Sequence, residues 1–344
     1  MKAFTADAVS LPLPEGHRFP ADKYSRLRKW IESEGAFAAV DLCLPELATD
    51  AQLALVHSPE YIQAFRPGTL SEREIRRINL PWSLALVERS LRSVGGTMAA
   101  CQAAAVDGRA IHLGGGRHHA FPDHGAGYCV FNDCAVAARH RQVRQIVSRI
   151  LILDLDVHQG DGTAAIFAGD TTVYTCSLHS MSNFPFRKQT SDLDVALVDG
   201  TGDEDYLQAL RHALDIALPA SRPDLVLYIA GADPYAGDTL GRLSISIDGL
   251  AERDRFVFDA MGAAGLPVAV VLGGGYARMI DDTVQIHVNT VARACERAAG
   301  PTLLTRRLDG TPNGQRSCYR LQPRAAGGPS PMVCWGRRVA EPPK

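Results

Sequence analysis

Four short apolar segments constrain the fold of this chain more than any other feature of its sequence. They are rich in leucine or β-branched residues, and they are RILILDLDVH (149–158), TTVYTCSLH (171–179), DLVLYIAGAD (224–233) and PVAVVLGGGY (267–276). Their hydrophobicity is nearly continuous rather than alternating, which is typical of strands buried on both faces of a parallel sheet. The sequence therefore predicts a central, mainly parallel sheet that is covered on both sides.

Segments with a helical period lie between these strands. DEDYLQALRHALDIALPA (203–220) places its apolar residues along one face, and GLAERDRFVFDAMGAAG (249–265) has Gly265 as its predicted stop. Upstream, residues 81–108 are predicted to form a pair of helices, with Gly95 and Gly96 as a break or a close-packing point. Alternating strands and helices indicate a three-layer α/β/α fold with right-handed crossovers.

The length and composition predict one catalytic domain with an extension. The chain has 344 residues, of which 46% are hydrophobic, enough for a large core. We assign residues 1–300 to a single domain and residues 301–344 to a C-terminal extension rich in proline and arginine. The extension has no clear periodicity, so we expect it to be irregular, packed loosely over the core or partly disordered. A basic tail that binds nucleic acid is the less favoured alternative.

Charge and cysteine usage limit the partners and the compartment. The formal net charge of −2 predicts neither a nucleic-acid partner nor an anionic membrane. The first twenty residues lack the apolar core of a signal peptide, and no apolar run reaches the length of a transmembrane helix. The eight cysteines form no CxxC pair, so we expect reduced thiols and a cytoplasmic location.

Each predicted strand ends in residues suited to metal binding or acid–base chemistry. The first run ends in Asp154, Asp156 and His158, the second in Ser177 and His179, the third in Asp233, and the fourth in GGGY. In open α/β sheets, sites form outside the carboxyl ends of the strands, so we expect the active site at that edge.

The segment DLDVHQGDG (154–162) predicts a metal site. Residues two apart on a strand share a face, and two carboxylates and an imidazole there would repel and desolvate badly without a cation. Aspartate and histidine suit zinc, and a catalytic zinc site has three protein ligands and one open position. Asp156 and His158 supply two ligands, and Asp233 is the natural third.

Two further interpretations of this segment stay open. The acids and the histidine could merely cap a helix that starts near Gly160. Alternatively, arginase-like enzymes bind a manganese pair through an Asp-x-His-x-Asp run. Here Gly160 occupies the last position and the acid follows at Asp161, so one metal is favoured.

The segment LGGGRHHAFPDHG (113–125) places His118 and His119 behind three glycines. The glycines allow a tight turn that brings both imidazoles to one cavity. A phosphate-binding loop is the weaker interpretation, because the spacing GxGxxG is not met. Each imidazole needs a carboxylate to fix its tautomer, and Asp154 and Asp161 are available.

Taken together, GGGRHHA, DLDVHQGDG, GADPYAGD and GGGY, in this order, closely resemble the histone deacetylase superfamily of arginase-like zinc deacylases. The resemblance covers about residues 15 to 297. VHSPEYIQAF (56–65) and residues 183–207 also resemble family segments, the second most like the bacterial relatives of class IV histone deacetylases. The resemblance implies a metal-dependent amidohydrolase that removes acetyl or longer acyl groups from Nε-acyl-lysine of proteins or peptides.

The resemblance also implies the site residues. The metal ligands, for Zn²⁺ or in the cell Fe²⁺, would be Asp156, His158 and Asp233. His119 would be the general base and His118 its mainly electrostatic neighbour, oriented by Asp161 and Asp154 respectively. Tyr276 would donate its hydroxyl to the substrate carbonyl oxygen. The residues matching the acyl-lysine tunnel are Gly127, Tyr128, Phe184 and Leu240, and those matching a structural K⁺ site are Asp154, Asp156, His158, Ser177 and Leu178.

The family contains several activities, and the sequence does not reduce them to one. Polyamine deacetylases share the same machinery, but some have an acidic gatekeeper where this chain has Leu240. The rim acid of many relatives has no clear match, with Glu72 and Glu74 as candidates. Class IV relatives remove long acyl groups, so acetyl need not be the preferred group. A silent acyl-lysine or metal-binding module is disfavoured, because every catalytic position is filled.

Overall fold

The sheet predicted from the four apolar runs is the centre of the computed structural model, which describes residues 1–296, 318–323 and 333–334. Its strands are β1 (Lys2–Phe4), β2 (Asp41–Cys43), β3 (Arg109–His112), β4 (Ile150–Asp154), β5 (Val173–Ser180), β6 (Leu193–Leu197), β7 (Leu225–Ile229), β8 (Val268–Val271), β9 (Cys318–Pro323) and β10 (Val333–Cys334). Their spatial order is β10-β9-β6-β5-β4-β7-β8-β3-β1-β2. The strands from β1 to β8 pair in parallel, and β9 and β10 pair antiparallel at one edge. The predicted α/β fold with a mainly parallel sheet is confirmed.

Helices cover both faces of this sheet. In the described residues they are α1 (Lys23–Ser33), α2 (Asp50–Leu53), α3 (Pro59–Phe65), α4 (Glu72–Ile78), α5 (Leu84–Asp107), α6 (Asp133–Val143), α7 (Asp161–Ile166), α8 (Asp203–Ser221), α9 (Ile247–Ala263) and α10 (Ile280–Cys295). The helices α8 and α9 agree with the two predicted from periodicity. Gly265 follows α9 with a φ of +66°, as expected of a helix stop.

Alternate residues of β4 belong to different hydrophobic cores. Leu151 and Leu153 are buried in one cluster, which includes apolar residues of α1, α8, α9 and α10. Ile150 and Ile152 are buried in another, which includes residues of α5 and α6. The strand is therefore covered on both faces, which explains why its sequence is continuously apolar.

The predicted pair of helices over residues 81–108 is wrong, because α5 runs through Gly95 and Gly96 without a break. A side chain at Gly95 would overlap the backbone carbonyl oxygen of Glu46. A Cβ at Gly96 would lie 2.7 Å from Nε2 of His112. The glycines therefore allow close packing inside one helix, which is the second of the two roles expected for them.

The C-terminal extension is not irregular throughout. Residues Cys318–Pro323 form β9 and pair with β6, so this part of the extension completes the sheet, contrary to the expectation of a loosely packed segment. The rest of the extension, apart from Val333–Cys334, lies outside the described part of the chain. The division at residue 300 stays a prediction. In the described residues, no helix combines the length and hydrophobicity needed to cross a membrane.

Candidate active site

A cavity of about 660 Å³ opens at the carboxyl edge of the sheet, where sites were expected. The predicted site residues that line it are His118, His119, Gly127, Tyr128, Asp156, His158, Phe184, Asp233, Leu240 and Tyr276. Asp154 and Asp161 lie behind the two adjacent histidines and contact them. Ser177, Leu178 and His179 are buried in β5 and do not line the cavity.

Asp156, His158 and Asp233 come together as predicted, with potential ligand atoms all within 4.8 Å of one another. Nδ1 of His158 is 2.9 Å from Oδ1 of Asp156 and 3.3 Å from Oδ2 of Asp233. The strand β4 already ends at Asp154, so strand alternation does not align Asp156 with His158. A turn does so instead, because the backbone N–H of His158 donates to Oδ1 of Asp156 at 2.9 Å.

The hydrogen bonding of Asp233 supports metal binding at this cluster. Its Oδ1 accepts a hydrogen bond from the backbone N–H of Val157 at 2.9 Å. Its Oδ2 is buried and accepts no hydrogen bond within the described residues. A buried carboxylate oxygen without a donor is costly, and a cation removes that cost. Two carboxylates and one imidazole are a donor set that fits Zn²⁺ or a similar divalent metal.

Each adjacent histidine has its own carboxylate. Nδ1 of His118 is 2.7 Å from Oδ2 of Asp154, and Nδ1 of His119 is 2.6 Å from Oδ1 of Asp161. The centroids of the two imidazole rings are 4.1 Å apart. With Nδ1 engaged by a carboxylate, Nε2 of each ring is the nitrogen left for a substrate or a water.

The two histidines differ in protonation. Burial disfavours the charged form of both, but the carboxylates of Asp154 and Asp156 raise the pKa of His118 to about 9. Burial and the charge of the neighbouring imidazoles hold the pKa of His119 well below its usual value. The surroundings therefore favour the charged form of His118 and the neutral form of His119, which can accept a proton.

The glycine loop before the histidines is closed by a carboxylate. Gly115 and Gly116 have φ values of +87° and +68°, which glycine adopts readily. The Asp133 carboxylate accepts hydrogen bonds from the backbone N–H groups of Gly116 at 3.1 Å and Arg117 at 2.7 Å. Since these N–H groups already have an acceptor, the loop does not provide a phosphate cradle.

Neither a helix-capping role nor a second metal ligand fits the geometry of DLDVHQGDG. The helix α7 begins at Asp161, and its N-cap residue Gly160 makes no side-chain capping bond, so the preceding acids do not cap it. A side chain at Gly160 would overlap Oδ2 of Asp154. Position 160, which would supply another metal ligand, therefore has room only for glycine.

Aromatic residues form the walls of the cavity. The Phe184 ring lies 4.9 Å from that of His119 in an edge-to-face arrangement, and the Tyr128 ring lies 5.7 Å from that of Tyr276. Gly127 has a φ of +53°, and a Cβ there would lie 2.8 Å from Cδ2 of His119. The predicted tunnel residues thus surround the access to the histidine pair.

The Tyr276 hydroxyl keeps its proton at neutral pH. Burial of the phenol and the nearby Tyr24 raise its pKa well above the usual range, although Arg117 acts in the opposite direction. A protonated hydroxyl is a hydrogen-bond donor, as the predicted role requires.

Lys23 is a residue of this site that the sequence analysis missed. Its side chain is buried, and its ammonium group donates hydrogen bonds to the carbonyl oxygens of Gly274 and Gly275. The ammonium nitrogen also lies 5.1 Å from the ring centroid of Tyr276. Lys23 therefore holds the glycine loop that carries Tyr276. A lysine at the start of an amphipathic helix has no sequence signal that separates it from a solvated residue.

Two carboxylate-backed histidines beside an Asp–His–Asp cluster, at the carboxyl edge of a parallel sheet, define the class of metal-dependent hydrolases. The family model of the histone deacetylase domain matches residues 17–291, and the chain belongs to this family. The expected resemblance is confirmed, and the family makes the protein a deacetylase-type hydrolase.

The chain is similar to several relatives over most of its length. It is 49% identical over 276 residues to an uncharacterized protein of Picosynechococcus sp., covering 80% of this chain and 92% of the relative. It is 32% identical to histone deacetylase 2 of Arabidopsis thaliana, covering 78% and 73%, and 32% identical to the acetoin utilization protein AcuC of Bacillus subtilis, covering 72% and 69%. The crystal structure of the HDA15 HD domain has the same fold, with a TM-score of 0.71 at 21% identity, covering 84% of this chain and 87% of that one.

Proposed function

We propose that this protein is a zinc-dependent lysine deacylase that hydrolyses the side-chain amide of Nε-acyl-lysine in proteins or peptides. The observation that carries the proposal is the pairing of His118 with Asp154 and of His119 with Asp161. Both pairs lie beside the cluster of Asp156, His158 and Asp233 in a cavity with aromatic walls.

The metal would be held by Asp156, His158 and Asp233. When bound there, Zn²⁺, or Fe²⁺ as the alternative in the cell, supplies a Lewis acid for the amide carbonyl and lowers the pKa of a water. A structural K⁺ at Asp154, Asp156, His158, Ser177 and Leu178 remains part of the proposal. Its support is that Asp154 and Ser177 are buried oxygen-bearing residues, directly opposite each other in β4 and β5.

The chain's own residues perform the proton transfers. His119, neutral and held by Asp161, accepts the proton of the attacking water through Nε2. His118, charged and held by Asp154, stabilises negative charge beside it, and the pair then supplies a proton to the departing lysine amine. The Tyr276 hydroxyl donates to the carbonyl oxygen as negative charge develops there, a contribution of several kcal/mol in comparable oxyanion sites.

The walls of the cavity favour an extended acyl-lysine. Phe184 and Tyr128 present apolar ring surface to the aliphatic lysine side chain, and they exclude water from the amide. Leu240 lines the same cavity at the position where a polyamine deacetylase would hold a second ammonium with a carboxylate. Its apolar side chain favours the lysine substrate over the polyamine. A cytoplasmic location, based on the cysteine pattern, belongs to the same proposal.

The decisive experiment is an acyl-length panel. Zinc-loaded protein is incubated with one peptide sequence whose lysine carries an acetyl, butyryl, octanoyl or myristoyl group. Formation of the unacylated peptide is measured. We expect hydrolysis that is lost in His119→Ala, with a folded far-UV circular dichroism spectrum for that variant. The preferred length defines the depth of the pocket. Absence of hydrolysis with metal bound would overturn the proposal, and turnover of acetylated spermidine instead would establish a polyamine deacetylase.

A further inference from the structure

The lining of the active-site cavity has a marked excess of positive charge. Among the described residues, it contains five arginines and only two carboxylates, both of which belong to the metal cluster. Arg117 is half-buried in the interior, and the four exposed arginines are Arg18, Arg76, Arg77 and Arg242. Because the whole chain has a formal net charge of −2, this excess is local and does not reflect a basic protein.

Two of the exposed arginines, Arg18 and Arg77, have their backbone next to Tyr128, which forms one wall of the cavity. The carbonyl oxygen of Arg77 accepts a hydrogen bond from the N–H of Gly127 at 3.1 Å, directly next to Tyr128. Arg18 stands between His17 and Phe19, whose rings both pack on that of Tyr128, with centroids 6.2 and 5.4 Å away. Both guanidinium groups are therefore attached to the rim on this side of the tunnel.

Arg242 stands beside the Phe184 wall of the cavity. Its backbone N–H donates to Oδ1 of Asn183 at 3.0 Å, and Asn183 directly precedes the wall residue Phe184. Arginines therefore accompany both aromatic walls, Tyr128 and Phe184, and a peptide bound at the cavity would meet positive charge beside each of them.

These arginines are largely available to a ligand. Arg76 pairs with Glu72, and Arg242 lies 3.3 Å from Asp199, but both pairs are exposed and such pairs contribute little. Within the described residues, Arg18 and Arg77 form no salt bridge with a carboxylate, although the charge of Arg77 acts on the nearby Glu74, whose carboxylate already accepts hydrogen bonds from Ser71. Unpaired cations around a cleft raise the local concentration of anionic ligands and the rate at which they associate.

We propose that the substrate lysine lies in an acidic segment, with Asp or Glu within about two residues on either side. An extended peptide advances about 3.3 Å per residue, so carboxylates at these positions reach the rim while the acyl-lysine occupies the tunnel. This inference rests on the proposed deacylase function and specifies the substrate class of that same site. The two candidate rim acids do not line the cavity, because Glu72 pairs with Arg76 and Glu74 caps α4.

Three peptides with the same acyl-lysine and different flanking residues test the inference. One has Asp and Glu next to the lysine, one has Ser and Gln, and one has Lys and Arg. We expect kcat/KM to decrease in that order, by about twofold to fivefold per step, since an exposed ion pair contributes up to about 1 kcal/mol. The preference should weaken as salt is raised from about 50 to about 500 mM, because the charges involved are exposed.

A matched pair of variants assigns the preference to the rim. The double variant Arg18→Gln, Arg77→Gln should bring the ratio of acidic to basic peptide towards one. Arg73→Gln removes an exposed arginine from the same helix as Arg77 but outside the cavity, and it should keep the ratio. Equal kcat/KM for all three peptides, or a preference for the basic one, overturns this inference and leaves the deacylase function intact. Hydrolysis of none of them by metal-loaded protein overturns both.

Discussion

The Asp238 carboxylate accepts a hydrogen bond from the backbone N–H of Tyr276 at 2.6 Å, although 38 residues separate them. Its second oxygen accepts the N–H groups of Leu240 at 2.8 Å and Gly241 at 2.9 Å. One buried side chain thus connects the loop that follows Asp233 to the loop that carries Tyr276, and it also fixes the backbone of Leu240.

Asp238→Asn should reduce catalysis as well as stability. An amide has only one acceptor oxygen, so some of these buried N–H groups lose their partner, at about 1–3 kcal/mol. We expect kcat/KM to fall by about tenfold to a hundredfold on an acyl-lysine peptide. Asp215→Asn, an exposed change on α8, is the control. Equal kinetics for the two variants would contradict the positioning role of Asp238.

Lys23→Met should lower kcat with little change in KM. The substitution leaves the carbonyl oxygens of Gly274 and Gly275 without their donor, so the loop that presents Tyr276 loses its support. Because the proposed role of Tyr276 is in the transition state, we expect kcat to fall by about tenfold, while peptide binding at the rim persists. Lys23→Arg, which retains the donors, should keep more activity than the methionine variant. An unchanged kcat in Lys23→Met would argue against this support.

Gly127→Ala and Gly265→Ala separate backbone strain from obstruction of the site. Both glycines have positive φ values, +53° and +66°, so each substitution should lower the free energy of unfolding by about 1–2 kcal/mol. Only Gly127 has His119 2.8 Å from the added methyl group, whereas nothing lies within 4 Å at Gly265. Urea denaturation should therefore show similar losses, with activity reduced only in Gly127→Ala. Loss of activity in both would point to a general effect of strain.

Metal removal should destabilise the protein through its Asp–His–Asp cluster. A ligand that binds only the folded state, at about a hundred times its Kd, adds about 2.7 kcal/mol of stability. We expect the Tm of chelator-treated protein to rise on addition of zinc, and His158→Ala to abolish this rise. His212→Ala, a change on α8 away from the cavity, should keep it. A zinc-dependent rise that persists in His158→Ala would place the metal elsewhere.

The four central strands β4, β5, β7 and β8 were predictable because burial on both faces leaves a distinct pattern, whereas their neighbours β3 and β6 were not predicted. In β4, every residue from Ile150 to Asp154 is buried, and the continuous apolar run shows this. The strands Lys2–Phe4 and Asp41–Cys43 escaped prediction, since three residues with mixed burial are too short to establish a period. The unbroken course of α5 was also unpredictable, because the reason for Gly95 is the backbone of Glu46, which is remote in sequence.

The same distinction applies to the candidate site. Asp156, His158 and Asp233 stand at strand ends in recognisable motifs, and the structure brings them together. Asp238 lies inside the motif GADPYAGD, but its role depends on a hydrogen bond to Tyr276 that no local pattern encodes. The residues proposed to act on the substrate were predictable from motifs, whereas residues that position another loop were recognisable only from the fold.

The antiparallel strand β9 limits where the chain can be truncated without exposing the edge of the sheet. The β6 residues Leu193–Leu197 are all buried, and their outer backbone groups pair with Cys318–Pro323. A protein trimmed to the family match, residues 17–291, would lose this neighbour and, on the opposite side, the Lys2–Phe4 neighbour of β3. Both flanks of the sheet would then offer free N–H and C=O groups next to apolar side chains, which is a template for strand addition between molecules. The boundaries of recognisable homology therefore lie inside those of the folding unit, and the segments beyond them shield the inner strands from such pairing.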